Sequence, residues 1–427
     1  MSLLVNSDLR QRIFLTLTIL LVYRFGTFVP IPGINMEVIQ QFFASSGANI
    51  FGMINLFSGG SLERMSIFAI SIMPYITASI IMQLLSSMYK SLENLKKEGE
   101  HGRAKINQYT RYLTIILAFF QSLGVYYALS NPENNAFVSD SSIFMWTTCV
   151  SLVGGTVMLM WFGEKITSSG IGNGISLIIF IGIVSSLPSS IIQIFDLSKN
   201  GVYSWSIILV FFILFIGFLM LICLVEKAHR RVKIQYPNAT MMKAAGMSDS
   251  SFLPLKINIS GVIPPIFASS ILMFPAAIVQ FTGGDGGVIM SLLRRGGGLY
   301  LVLFAALILF FCYFYSSIVF NTQEVSNNLK KGNCFILGVR PGSTTAQYLD
   351  KIVARLTLIG SIYLIFVCIV PEILITKYSV PLYVGGTGIL IMVNVILDLV
   401  NQVQSHLFSS KYGSGSNVRK RRVRVRG

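Results

Sequence analysis

Charged side chains are scarce. Asp, Glu, Lys and Arg make up 12% of the 427 residues, about half the roughly 25% of an ordinary soluble domain. With 53% hydrophobic residues and a mean hydropathy of +0.69, the chain is neither a water-soluble enzyme nor a disordered segment. Cysteine is sparse and odd in number, at five. Cys149, Cys223, Cys312 and Cys368 fall inside apolar runs and only Cys334 lies in a polar loop, so neither a disulfide framework nor metal-ligand spacing appears. Histidine is limited to His101, His229 and His406. No H-E-x-x-H, paired intramembrane Asp or phosphate loop is present. The glycine-rich GIGNG at 170–174 lacks a following Lys-Ser/Thr and reads as a tight turn. The sequence therefore implies no cofactor and no metal, and any driving force comes from a partner.

Long apolar runs are what the chain does have. Stretches free of Asp, Glu, Lys and Arg cover 65–89, 112–132, 141–163, 166–195, 200–225, 257–284, 296–323 and 378–397. A shorter run, 356–371, is extended by apolar neighbours, and another, 13–36, is interrupted only by Arg24. A spanning helix needs about 20 such residues, so ten spans are predicted. Their lengths suit helices rather than the short alternating strands of a barrel. The sequence predicts an all-α polytopic membrane protein.

The connections set the orientation. Twenty-seven Lys and Arg lie on the side of the termini and five on the other. This places both termini and the loops 90–111, 226–256 and 324–355 in the cytoplasm. No cleavable signal peptide is expected, because the first span is too long and no A-x-A-like site follows.

Five spans precede the connection near 196–202 and five follow it. An odd number in each half makes the halves inverted. Pro74 in span 2 and Pro264-Pro265 in span 7 occupy matching early positions. They read either as ordinary kinks or as interruptions marking a functional centre between the halves. Residues 50–64, IFGMINLFSGGSLER, are too short and polar to span. They fit an external loop helix or a segment folded back into a cavity. Ionisable groups at depth, on which ion-coupled transport depends, are limited to Arg24 and Asp398. An apolar centre of this kind seals against ions by excluding water.

Several strings resemble the bacterial SecY family of protein-translocation channels: PIPGI at 30–34, LFSGGSLERMSIFAISIMPYITASIIMQLL at 56–85, KKEGEHGRAKINQYTRY at 96–112 and GIGNGIS at 170–176. LPLKINISGVIPPIFASSI at 253–271, NLKKGNCFILGVRPG at 328–342 and PLYVGGTGILI at 381–391 do so too. The resemblance covers nearly the whole chain, in the family's order. It implies two pseudo-symmetric inverted halves, 1–200 and 201–410, around an hourglass pore, followed by a basic tail, 411–427. Its pore ring falls on Ile72, Ile76, Ile175, Ile179, Ile266 and Ile391, stiff side chains that cannot hydrogen-bond water. Its plug falls on 50–64, with Asn55, Phe57, Ser58, Gly59 and Gly60 in the matching string. Its lateral gate falls on Pro74, Thr77, Gln83, Asn258, Pro264 and Phe274. Docking of the SecA motor and the ribosome falls on Arg340, Arg230, Arg231, Lys330 and Lys331. SecE and SecG subunits, signal-bearing precursor proteins and a bacterial inner membrane complete the implied setting.

Ten apolar residues of a signal sequence supply roughly 3–6 kcal/mol in lipid. Driving a two-state gate from mostly closed to mostly open takes about 5.5 kcal/mol, so weak signals are expected to need a partner's help. The basic loops suit ribosomal RNA and serve equally as anchors on anionic lipids. One departure from the family is the 6/7 loop tip, YPNATMMKAAGMSDSS, where Lys243 is the one basic residue. The tail RKRRVRVRG at 419–427 either compensates for it or binds lipid. A small-solute transporter and an insertase without a through-pore remain alternatives to the channel.

Overall fold

A computed structural model describes residues 7–34, 39, 58–129, 141–200, 205–235, 251–281, 297–378 and 385–424. Helices stand at all ten positions where apolar runs lie. They are α1 (Ser7–Gly26), α2 (Met73–Met88), α4 (Glu100–Leu129), α5 (Ser141–Ser169), α6 (Gly174–Lys199), α7 (Trp205–Lys227), α8 (Ile263–Phe281), α9 (Gly298–Val319), α11 (Ser343–Tyr378) and α12 (Gly386–Arg424). Two short helices, α3 (Lys90–Lys97) and α10 (Thr322–Lys331), lie in the basic loops. Among the described residues, six helices are long and apolar enough to cross a membrane by length and composition. The protein is a multi-pass α-helical membrane protein.

The packing order repeats between the halves. α2 packs on α4, α4 on α5 and α5 on α6; correspondingly α8 packs on α9, α9 on α11 and α11 on α12. The halves meet along two seams. On one, α8 touches α2 and α4; on the other, α6 touches α12 and α7. The second seam is clasped by the GIGNG turn. Across it the Gly172 amide donates to Gln402 Oε1 at 2.7 Å, while within the first half the Ile171 amide donates to Thr16 Oγ1 at 3.1 Å. Gly172 has φ +88°, which only glycine adopts freely.

The structure corrects the reading of the prolines. Pro74 is the second residue of α2, and Pro264 and Pro265 are the second and third of α8. In the first turn a proline withholds no intrahelical hydrogen bond, so these residues start helices rather than bend them. The stretch 65–72, which the apolar run assigns to the beginning of span 2, is a run of turns with positive φ at Met65 and Ser71. Prolines interior to helices include Pro188 in α6 and Pro371 in α11.

The long basic loops are more ordered than their composition suggests. β1 (His229–Gln235) pairs antiparallel with β2 (Ser251–Lys256) and with β3 (Phe335–Ile336), giving the order β2-β1-β3. Pro254 is tolerated because β2 is an edge strand. Val232 and Ile234 point inward while their neighbours are exposed. Val232, Leu255 and Ile336 then cluster with Leu349, Ile352 and Leu356 on the first turns of α11. The 6/7 and 8/9 loops therefore form one packed unit. The tip 236–250 lies outside the described residues. The backbone of α12 stays helical through Arg424, so most of the basic tail continues the last span.

Candidate functional site

The six isoleucines expected at the pore ring lie at the starts of four helices. Ile72 is the N-cap of α2 and Ile76 follows one turn later. Ile175 and Ile179 are in the first two turns of α6, Ile266 in the first turn of α8 and Ile391 in the second turn of α12. Asn173 caps α6, its Oδ1 accepting from the Ile175 amide at 3.2 Å. Ile72, Ile179 and Ile391 are buried, and Ile76, Ile175 and Ile266 are half-buried against the same apolar cluster. Three of the six therefore keep part of their surface exposed. Gly163 on α5, not singled out in the sequence, makes room for this arrangement. A Cβ there would come within 3.0 Å of Ile175 Cγ1, and Gly174 sits directly against the Gly163 carbonyl.

At the seam between the halves, α2 and α8 touch. Pro74 and Pro264 are buried and Thr77 and Gln83 half-buried. Thr77 Oγ1 donates back to the Met73 carbonyl at 3.1 Å, and Gln83 Nε2 donates to Ser79 Oγ at 3.4 Å. Asn258 is buried in a turn ahead of α8. Its Nδ2 donates to Glu226 Oε1 at 2.8 Å and to the Gly261 carbonyl at 3.1 Å. Its Oδ1 accepts from the Gly261 amide at 3.0 Å and Ser260 Oγ at 3.2 Å. Phe274 lies on α8, its side chain outside the described residues.

Of the plug string, Asn55 and Phe57 lie outside the described residues. Ser58 is fully buried. Gly59 and Gly60 have φ of +67° and +81°, which accounts for the glycine pair. Gly59 presses against Gly182 of α6, where a Cβ would sit 2.9 Å from the Gly182 Cα. Its carbonyl accepts from Arg24 Nη1 at 3.2 Å and Ser185 Oγ at 3.4 Å. The Arg24 and Arg64 guanidiniums also lie over Phe28, at 4.9 and 4.4 Å from its centroid. These arginine contacts carry no signal in the sequence beyond the rarity of a charge inside a span.

The basic residues expected at the docking surface share the sheet-linked unit. Arg230 and Arg231 are exposed on β1, Lys330 and Lys331 end α10, and Arg340 is exposed in the following loop. That loop is tied down at both ends. Ser326 Oγ donates to the Gly342 carbonyl at 2.6 Å, and Thr345 Oγ1 donates to the Arg340 carbonyl at 2.8 Å. The backbone beneath Arg340 is fixed while its side chain faces water. Among the described residues, no group of three His, Cys, Asp or Glu could hold a metal ion.

The family profile described as SecY matches residues 66–400. The chain belongs to the SecY family. A SecY relative from Rickettsia felis, named protein translocase subunit SecY, is 50% identical over 413 residues, covering 95% of each chain. The Escherichia coli K12 SecY of the same name is 44% identical over 414 residues, covering 95% of this chain and 94% of its own. Among solved structures, one titled as a protein conducting channel aligns with a TM-score of 0.70 at 16% identity, over 95% of this chain and 94% of that one. Sec61 in the canine ribosome-channel complex aligns with a TM-score of 0.67 at 17% identity, over the same shares. At these identities the solved structures share the fold.

Proposed function

We propose that this chain is the pore-forming subunit of a protein translocase. It conducts unfolded, signal-bearing polypeptides across a bacterial inner membrane and releases hydrophobic segments sideways into lipid between α2 and α8. What supports this reading is that the six isoleucines, from helices of both halves, lie near the starts of their helices and all belong to the apolar core that joins the halves. Branched aliphatic side chains offer an ion no hydrogen bond and hold no water at a narrow waist, yet rotate and shift around an extended chain. Residues 50–64 act as the plug. Both termini and the sheet-linked basic unit face the cytoplasm, where Arg340 and its neighbours dock the SecA motor and the ribosome. SecE and SecG complete the assembly, and anionic lipids meet the remaining basic residues. The chain itself performs no covalent chemistry; its partners supply the energy.

The test is site-specific photocrosslinking in the assembled complex during precursor transport. Probes at Ile72 and Ile175 are expected to label the translocating precursor. Labelling at α2 and α8 with none at the six isoleucines would identify an insertase without a through-pore. No precursor labelling at either place, together with uptake of a small solute, would identify a transporter.

A further inference from the structure

The two helices flanking the proposed gate are approached in matching ways. α1 carries Arg24 in its last turn, and α7 carries Glu226 next to its last residue. Each of these helices is the span immediately before a gate helix. Each ionisable side chain reaches the segment leading into that gate helix, and each segment contains a glycine with a left-handed backbone. Arg24 donates to the Gly59 carbonyl, and Gly59 has φ +67°. Glu226 accepts from Asn258, which brackets Gly261, at φ +64°, through that residue's amide and carbonyl. The segment from Gly59 to α2 is longer, but it is braced on α1. Ser61 Oγ donates to the Phe68 carbonyl at 3.0 Å, the Phe68 ring fills the space at Gly26, and it lies 5.8 Å from the Tyr23 ring.

A buried ionisable group is costly unless it is hydrogen-bonded, and Glu226, at the end of its helix, is 8% exposed. Hydrogen bonds to a charged group are roughly twice as strong as neutral ones, which offsets that cost only while the contacts last. Both sets exist in an arrangement where α2 and α8 touch. We propose that Arg24 and Glu226 are paired positioning residues, one in each half, that hold the roots of α2 and α8 in the closed gate and so set how hydrophobic a signal must be to part them. This inference rests on reading α2 and α8 as the gate. On the proposed topology the two anchors act at opposite membrane faces. They share no partner in the contacts above, so their effects multiply.

The test uses the full chain in its assembled complex, with precursors whose signals are graded in hydrophobicity. A contact shifts a two-state equilibrium only by what it contributes differently to the two states. Arg24→Ala and Glu226→Ala are expected to raise transport of a weakened-signal precursor at least about tenfold, with a strong-signal precursor little changed. Glu226→Gln, which keeps only a neutral acceptor for Asn258, and Arg24→Lys should both fall between the parent and the alanine variants. Ser185→Ala should change the threshold little, because the Ser185 hydroxyl, with its single proton, lies closer to the Gly182 carbonyl than to that of Gly59. Arg24→Gln, which removes the charge, should give a gain in the same direction and serves if the alanine variant fails to accumulate. A photocrosslinker at Thr77 reports whether the signal enters between α2 and α8. Labelling at Thr77 with an unchanged threshold, or with equal loss for all precursors, overturns the anchoring role and leaves the gate reading standing. Absence of labelling at Thr77 overturns the gate reading and the anchoring role with it.

Discussion

Arg111 and Glu164 face each other through two parallel hydrogen bonds, Nε to Oε1 and Nη2 to Oε2, both 2.7 Å long. This fork joins α4 to α5 just outside their apolar runs. Both side chains are partly exposed, at 48% and 32%, so screening limits their worth. A double-mutant cycle of Arg111→Ala and Glu164→Ala, read by thermal unfolding in detergent, should give a coupling of about 1 kcal/mol that shrinks with added salt. Arg111→Lys should lose most of it, because an ammonium cannot form the two-pronged contact.

The adjacent glycines 59 and 60 should respond differently to alanine. A methyl group at position 60 would have nothing within 4 Å, so Gly60→Ala meets only the backbone strain of φ +81°, about 1–2 kcal/mol. Gly59→Ala adds a collision with the Gly182 backbone of α6. Resistance of the assembled complex to heat should fall further for position 59 than for position 60. Equal losses would mean that the approach to Gly182 is not maintained in the membrane.

Polarity at the isoleucine cluster should cost the seal. Ile391→Asn and Ile72→Asn place amides where water is otherwise excluded, and the resting ion conductance of reconstituted channels should rise on the order of tenfold or more. Ile391→Val removes one methylene, for which about 0.5–1.5 kcal/mol of stability is expected, and should leave the resting conductance nearly unchanged.

At the sheet-linked basic unit, charge and architecture separate cleanly. Arg340→Glu should weaken motor-driven transport while leaving the fold intact, since its side chain is exposed and its backbone is held by Thr345. Val232→Asp should instead destabilise the unit by roughly 3 kcal/mol or more. Val232 is 6% exposed beneath the sheet. Limited proteolysis in the 6/7 and 8/9 loops together distinguishes that outcome from a pure docking defect.

Apolar run length is enough to locate all ten spans, because a bilayer demands about 20 apolar residues whatever packs around them. The boundaries are less legible. Met65 to Ile72 is as apolar as a helix yet turns repeatedly, held by bonds such as the Ile31 amide to the Met65 carbonyl, and such long-range partners leave no local pattern. The three-stranded sheet is hidden for a related reason. HRRVKIQ does alternate, but β3 is two residues long and lies about 100 residues away in sequence. The six isoleucines are legible through family strings alone, since isoleucine in a membrane span carries no directional signal. Arg24 stands out by its charge, while the partner it reaches, a backbone carbonyl at position 59, has no sequence signature at all.

The Gly172–Gln402 bond between the 170–174 turn and the last helix also bears on direction. If the halves part as proposed, an edge fastened there makes them swing like the covers of a book on its spine instead of dilating evenly. A nascent membrane protein would then have a single doorway, on the side facing away from the binding.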